Sequence, residues 1–371
     1  MADLIIPTHG GEALRVARES GIPLADVLDF SASINPLGMP EGVRPAVLAA
    51  LDECIHYPEA HGASLIEALA DFHAIAAQRL LVGNGSTELI YLLPRVLRPR
   101  RAALVTPAFS EYAKALAQID CPVDLIPLAA DDDFQFDPER IVAALAENVD
   151  LVWLANPGNP SGALIAVDAI CHLLELLPEG VRVVLDEAFI DFAPDTSFVA
   201  QATEYPQLMM LRSMTKFYAI PGLRVGYLLA APELIATLRD AQPPWSLSTP
   251  ALAAAKACLR DADYRQRTLA MMPQWREALA KELTALGATV YPAAANYLLV
   301  RLPTAAPAAS IVAARLRDQG ILIRNCGNFY PLDERMVRVA VKTPEDNGRL
   351  VKALRNQLER KAGEHNAAFV D

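Results

Sequence analysis

Basic side chains are in deficit in this 371-residue sequence, where 33 Lys and Arg stand against 44 Asp and Glu for a formal net charge of -11. That balance excludes the broad positive field of a nucleic-acid surface, so bound anions must be held by local groups. Cysteine is also sparse. Cys54, Cys121, Cys171, Cys258 and Cys326 are odd in number and form no CxxC pair, which fits neither a disulfide framework nor a zinc knuckle and suggests a reducing compartment. No apolar stretch reaches ~18 residues without a charge or a proline, so no membrane-spanning helix is expected. The first residues lack the basic start and apolar run of a secretory signal, and the expectation is a cytoplasmic protein. The 18 glycines and 28 prolines form no tract and read as turn punctuation. With 53% hydrophobic residues the chain is globular, and its length suggests two domains at roughly 100 to 200 residues each.

From about residue 60 to 240, helical and strand patterns alternate. Gly62 to Ala77 and Ser86 to Leu97 read as helices, the second despite Pro94. Short apolar runs follow at Ala102 to Thr106, Val123 to Leu128, Leu151 to Ala155, Val181 to Leu185, Leu208 to Leu211 and Val225 to Ala230. Their length and flanking turn residues fit strands buried on both faces of a mainly parallel sheet. Helices are expected between them at Ser110 to Ile119, Pro138 to Glu147 and Val167 to Leu177. The result is an α/β core with function at the strand C-termini. After Pro243-Pro244 comes a helical stretch from Pro250 to Leu286, with an interruption and a hinge expected at Pro273. Strands at Thr289 to Tyr291, Tyr297 to Val300, Ile321 to Arg324 and Met336 to Val341, with helices at Ala308 to Gln319 and Pro344 to Glu359, suggest an α+β second domain. The expected division is 1–45 as an N-terminal arm joining the small domain, 46–243 as the large domain and 244–371 as the small one.

Four segments carry candidate chemistry. Gly83-Asn84-Gly85-Ser86-Thr87-Glu88 is a glycine turn entering a helix, where free N–H groups suit a phosphate, although Ser86 or Thr87 as an ordinary N-cap explains it equally well. Asn156-Pro157-Gly158-Asn159-Pro160-Ser161-Gly162 forces a turn directly after a strand. Leu185-Asp186-Glu187-Ala188 brings one or both carboxylates to the same sheet edge. Ser213-Met214-Thr215-Lys216, with Arg224 eight residues on, offers a Schiff-base lysine beside a phosphate. Asp131-Asp132-Asp133 lacks a metal-ligand pattern and reads as a solvated loop, and no metal site is expected.

In this order these motifs resemble the fold type I pyridoxal 5'-phosphate enzymes, in the branch of the histidinol-phosphate aminotransferases. The resemblance implies an aminotransferase-like fold with a large, mainly parallel-sheet domain and a smaller α+β domain. It gives Lys216 the covalent link to the cofactor, Asp186 the pyridine nitrogen, Asn159 the phenolic oxygen and Tyr112 the stacking position on the ring. An ionised Asp186 would favour the protonated pyridine by roughly 4 kcal/mol at about 4 Å in a semi-buried site. Gly85, Ser86, Thr87, Ser213, Thr215 and Arg224 would surround the cofactor phosphate. Tyr57 resembles the tyrosine that reaches that phosphate from a neighbouring subunit, so a homodimer is implied. One departure is Phe189, where many relatives carry a tyrosine, which removes one hydrogen-bond donor from the phenolic oxygen.

Both ends of the chain narrow the resemblance. His9-Gly10-Gly11, the segment Asp29-Phe30-Ser31-Ala32-Ser33-Ile34-Asn35-Pro36-Leu37-Gly38, and the C-terminal strands carrying Arg324 and Arg338 are similar to the threonine-phosphate decarboxylases of cobalamin biosynthesis. That family implies L-threonine O-3-phosphate as substrate and (R)-1-aminopropan-2-yl phosphate and carbon dioxide as products. His9, Gly10, Ser33, Asn159, Arg324 and Arg338 would form the substrate site, with Ser33 where the family commonly has asparagine. Cys326 beside them reads as a bystander. A histidinol-phosphate aminotransferase working with glutamate and 2-oxoglutarate stays open as the alternative, as does a non-catalytic binding protein on the same fold.

Overall fold

The computed structural model describes residues 9–359. A two-residue strand, β1 (Leu28–Asp29), precedes a sheet of seven: β2 (Leu80–Asn84), β3 (Ala102–Thr106), β4 (Val123–Pro127), β5 (Leu151–Ala155), β6 (Arg182–Asp186), β7 (Leu208–Ser213) and β8 (Val225–Leu229). Their order is β2-β8-β7-β6-β5-β3-β4, and β8 alone runs antiparallel to its neighbours. Both faces are covered. Val152, Leu154, Val183 and Leu185 enter one apolar cluster, whereas Leu151, Trp153, Val184 and Met209 enter another, as the two-residue period of a strand dictates.

The expected strands and helices of this region are present within a few residues of their ends. The strand β2 was not anticipated. Its Leu80-Leu81-Val82 run is too short to signal a strand by itself, and its pairing with β8 along all its length supplies what local sequence does not.

The later strands are β9 (Thr289–Val290), β10 (Tyr297–Arg301), β11 (Ile321–Leu322), β12 (Arg324–Asn325) and β13 (Met336–Ala340). An antiparallel sheet runs β12-β13-β10-β9, while β11 pairs in parallel with β1. The single strand expected over Ile321 to Arg324 is therefore two, serving different sheets. The backbone N–H of Phe30 donates to Leu322, and that of Ala340 donates to Phe30. These bonds set residues 28–33 beside the strands that carry Arg324 and Arg338.

The interruption expected at Pro273 is corrected. Two helices, Thr249–Arg260 and Ala262–Ala285, meet at Asp261, whose carboxylate accepts from the Tyr264 N–H at 2.8 Å. Asp261 caps the second helix and so fixes the break, whereas Pro273 lies within a continuous helix. No described helix is long and apolar enough to cross a membrane, and no described group of His, Cys, Asp and Glu is arranged to hold a metal.

Candidate active site

The carboxyl ends of β5, β6 and β7 open into a cavity of about 290 Å³. Asp186 is the last residue of β6 and sits on its floor. The Tyr112 hydroxyl donates to Asp186 Oδ2 at 2.6 Å, and the Ala188 N–H donates to Oδ1 at 2.8 Å. Burial pushes the Asp186 carboxyl above the ordinary carboxylate range, against the pull of Tyr112, Lys216 and the Ala188 N–H. The Tyr112 ring stacks on Trp153 with centroids 4.8 Å apart and also lines the cavity.

Lys216 follows β7 in a four-residue helical turn, Met214–Phe217. Its Nζ donates to Ser213 Oγ at 3.0 Å, and that oxygen lies 2.8 Å from Thr215 Oγ1. Burial lowers the amine, Asp186 opposes the shift, and Arg224 and Arg338 reinforce it, leaving the pKa at about 8. A second anchor holds the backbone of this turn. The Asn35 N–H donates to the Lys216 carbonyl at 3.0 Å, and its side-chain amide donates to Phe217 O and Thr268 Oγ1, both at 2.9 Å.

Opposite Lys216, the helix Gly85–Leu97 points its first turn at the cavity, with Ser86 and Thr87 in the wall. Neither of these is the N-cap. Asn84 holds that position and makes no side-chain cap bond, donating instead to Ser246 O at 3.0 Å. Gly85 has a φ of +70°, which favours glycine, and a Cβ there would meet Arg224 Nη2 at 2.3 Å, so the guanidinium lies against this turn. Gly226 is equally constrained, since a Cβ there would stand 2.3 Å from the Ser86 nitrogen. A helix N-terminus without a side-chain cap, two hydroxyls and an arginine make a cradle for a phosphate.

The far wall comes from the chain ends. Arg324 on β12 and Arg338 on β13 are direct cross-strand partners and are both buried. Burial lowers Arg324, whose Nη2 donates to Asn328 Oδ1 at 3.1 Å. Arg338 donates to Asn159 Oδ1 and, at 2.8 Å, to Ser31 O, both uncharged acceptors. Like charges directly opposite on a strand pair repel, and both guanidiniums line the cavity. Ser33 is only 4% exposed, lines the cavity, and its hydroxyl has no partner among the described residues. Gly10 also lines it, and a Cβ there would lie 2.1 Å from Ser31 O. His9 Nε2 stands 2.9 Å from Glu111 Oε1 at the rim, and burial lowers the imidazole below its usual value. The remaining wall includes Phe189, whose ring centroid is 5.5 Å from Lys216 Nζ.

Some expected placements differ. Gly85 and Ser213 are not among the residues that line the cavity. Tyr57 does not line the cavity within this chain and is 80% exposed, with its ring 4.7 Å from that of Trp245. Of the two adjacent carboxylates only Asp186 faces the cavity. Glu187 points to the other side of β6, where it accepts from Arg212 at 3.0 Å, Ser197 at 2.8 Å and the Phe198 N–H at 2.7 Å. Strand alternation separates the pair. Ser31, Phe109 and Phe329 also line the cavity, the first of them inside the segment Asp29 to Gly38.

The residues fit a phosphorylated pyridoxal: a lowered lysine, a buried fixed carboxylate and the phosphate cradle at Gly85 share one cavity. The model of the family "Aminotransferase class I and II" matches residues 25–354. The threonine-phosphate decarboxylase of Salmonella typhimurium is 41% identical, over 94% of this chain and 96% of that relative. Histidinol-phosphate aminotransferase 2 of Ralstonia nicotianae is 33% identical, over 92% of each. Among solved structures, the L-threonine-O-3-phosphate decarboxylase from Porphyromonas gingivalis superimposes with a TM-score of 0.80 at 28% identity, covering 90% of this chain and 100% of that one. The chain belongs to the class I and II aminotransferase family and is a pyridoxal 5'-phosphate-dependent enzyme.

Proposed function

We propose that the protein decarboxylates L-threonine O-3-phosphate to (R)-1-aminopropan-2-yl phosphate and carbon dioxide, as a step of cobalamin biosynthesis. The observation that carries this reading is the cross-strand pair Arg324 and Arg338 lining the same cavity as Lys216. A small amino acid bearing both a carboxylate and a phosphate matches two planar cations. The 41% identity to a decarboxylase supports the same choice.

When bound, the cofactor supplies an electron sink for the bond broken at the substrate's α-carbon. Lys216 would hold its aldehyde, Asp186 its ring nitrogen, Asn159 its phenolic oxygen and Tyr112 its ring. Gly85, Ser86, Thr87, Ser213, Thr215 and Arg224 would hold its phosphate, with Tyr57 contributed by a second copy of the chain. Arg324, Arg338, Asn159, His9, Gly10 and the unpartnered Ser33 hydroxyl would orient the substrate. Which bond breaks depends on the angle at which the two arginines hold the carboxylate. Once displaced, the Lys216 ammonium delivers the proton that replaces the lost carboxylate at the α-carbon.

The exposed row Leu48, Leu51, Ile55 and Tyr57 supports a homodimer. The pairing of β1 with β11 supports an N-terminal arm, 1–45, joined to a small domain of 244–371, with 46–243 as the large domain. Five unpaired cysteines support a cytoplasmic setting.

Mass spectrometry of products decides the reaction. Purified protein given threonine phosphate should release carbon dioxide and aminopropanol phosphate without any keto-acid acceptor. Conversion of histidinol phosphate with glutamate formation from 2-oxoglutarate would instead make it an aminotransferase.

A further inference from the structure

Tyr297 is fully buried on β10, behind the cavity wall. Its hydroxyl donates to the Gly158 carbonyl at 2.6 Å, and the Gly162 N–H donates to the same oxygen at 2.7 Å. Gly158 immediately precedes Asn159. The Tyr297 ring lies 5.1 Å from the Arg338 guanidinium carbon and meets the Phe189 ring edge-on at 4.9 Å and 81°. Arg338 in turn donates to Asn159 Oδ1, which closes a circuit through Tyr297, Gly158, Asn159 and Arg338. Arg338 Nε has no partner among the described residues, and the two acceptors at its tips are neutral. An aromatic face supplies the electrostatic support that a guanidinium in this setting otherwise lacks. Burial raises the phenol above its ordinary value, so the hydroxyl stays a donor.

We propose that Tyr297 is a positioning residue with two separable tasks: its ring orients Arg338 for the substrate's anion, and its hydroxyl fixes the turn that presents Asn159 to the cofactor. The inference rests on the roles given above to Arg338 and Asn159. Phenylalanine keeps the ring and loses the hydroxyl, whereas leucine loses both.

The test uses holoenzymes of Tyr297→Phe, Tyr297→Leu, Arg338→Ala and the double variant Tyr297→Leu/Arg338→Ala. The readouts are KM and kcat for threonine phosphate and the cofactor dissociation constant from absorbance on reconstituting apoprotein. Tyr297→Phe should leave KM within about twofold and weaken cofactor binding about three- to tenfold, the loss of one hydrogen bond. Tyr297→Leu should raise KM about 3- to 30-fold with a smaller change in kcat, the range of a cation–π contact. In the Arg338→Ala background the leucine change should add nothing to KM, because the ring acts through that arginine.

Arg338→Ala leaving KM unchanged would show that the reading of the cavity is wrong. Arg338→Ala raising KM while Tyr297→Leu does not, or raises it independently in the double variant, would overturn the inference alone. Should the leucine variant not fold, the phenylalanine variant still decides. An unchanged cofactor dissociation constant, or a KM as high as that of Arg338→Ala, would refute the division of tasks.

Discussion

Lys216 owes its chemistry to position. With its pKa at about 8, roughly a tenth of its amine is neutral at pH 7, against about one part in three thousand for a value of 10.5. Apoprotein should therefore bind the cofactor aldehyde covalently at a rate that rises with pH to a plateau, with a midpoint near 8. A midpoint near 10 in a stopped-flow absorbance series would show that burial does not act as described. The same shift has a stability consequence of definite sign. The unfolded chain binds more protons than the folded one between pH 8 and 10.5, so apoprotein stability gains a contribution as pH rises across that window. Lys216→Ala should abolish turnover and remove that gain, which denaturant titrations at two pH values would reveal. Arg338→Ala should raise KM by roughly ten- to a hundredfold, as expected for loss of a charge-assisted contact worth about 1.5 to 3 kcal/mol, with kcat reduced less.

Elements place these side chains, and the sequence makes some elements plainer than others. The strands β3, β5 and β8 are visible because each is a continuous apolar run bounded by turn residues. The turn after β5 is equally plain, since its asparagines, prolines and glycines leave the chain little choice; Asn156 then closes it by exchanging two hydrogen bonds with the Ile165 backbone, at 2.9 and 3.1 Å. What local pattern cannot reveal is pairing. Nothing in Leu80 to Asn84 announces an edge strand beside β8, and nothing in Ile321 to Arg324 announces that one run divides between two sheets. Candidate site residues are legible as motif members; Asn35 and Tyr297 show no role in the sequence because each acts on a backbone carbonyl distant from it. The helix break at Asp261 gives a prediction of its own. Asp261→Ala should cost about 1 kcal/mol, the usual worth of an N-cap, measurable as a lower denaturant midpoint with unchanged slope. No loss would mean that packing alone fixes the break.

At the scale of the molecule, Tyr57 and its neighbours belong to a surface that a single chain leaves bare. Ile55 is 83% exposed, and Leu48 and Leu51 are each more than half exposed. On the proposed homodimer, Ile55→Arg should shift the protein from dimer to monomer in analytical ultracentrifugation and weaken its hold on the cofactor, since each site would then lack the Tyr57 proposed to come from the second copy. A monomer that binds the cofactor at full strength would refute the shared site. The chain's acidic balance, -11 in all, adds a long-range field unfavourable to anions, and the cavity opposes it with Lys216, Arg224, Arg324 and Arg338 in its lining.

That lining is drawn from His9 at one extreme and Arg338 at the other, with β1 hydrogen-bonded to β11 between them. During synthesis, then, the opening residues leave the ribosome long before the strand they pair with. The large sheet has all its strands by Leu229, yet the cavity lacks its arginine pair until Arg338, in the last tenth of the polypeptide, is made. Vitamin capture by a nascent chain would precede substrate recognition, and the enzyme acquires its selectivity last.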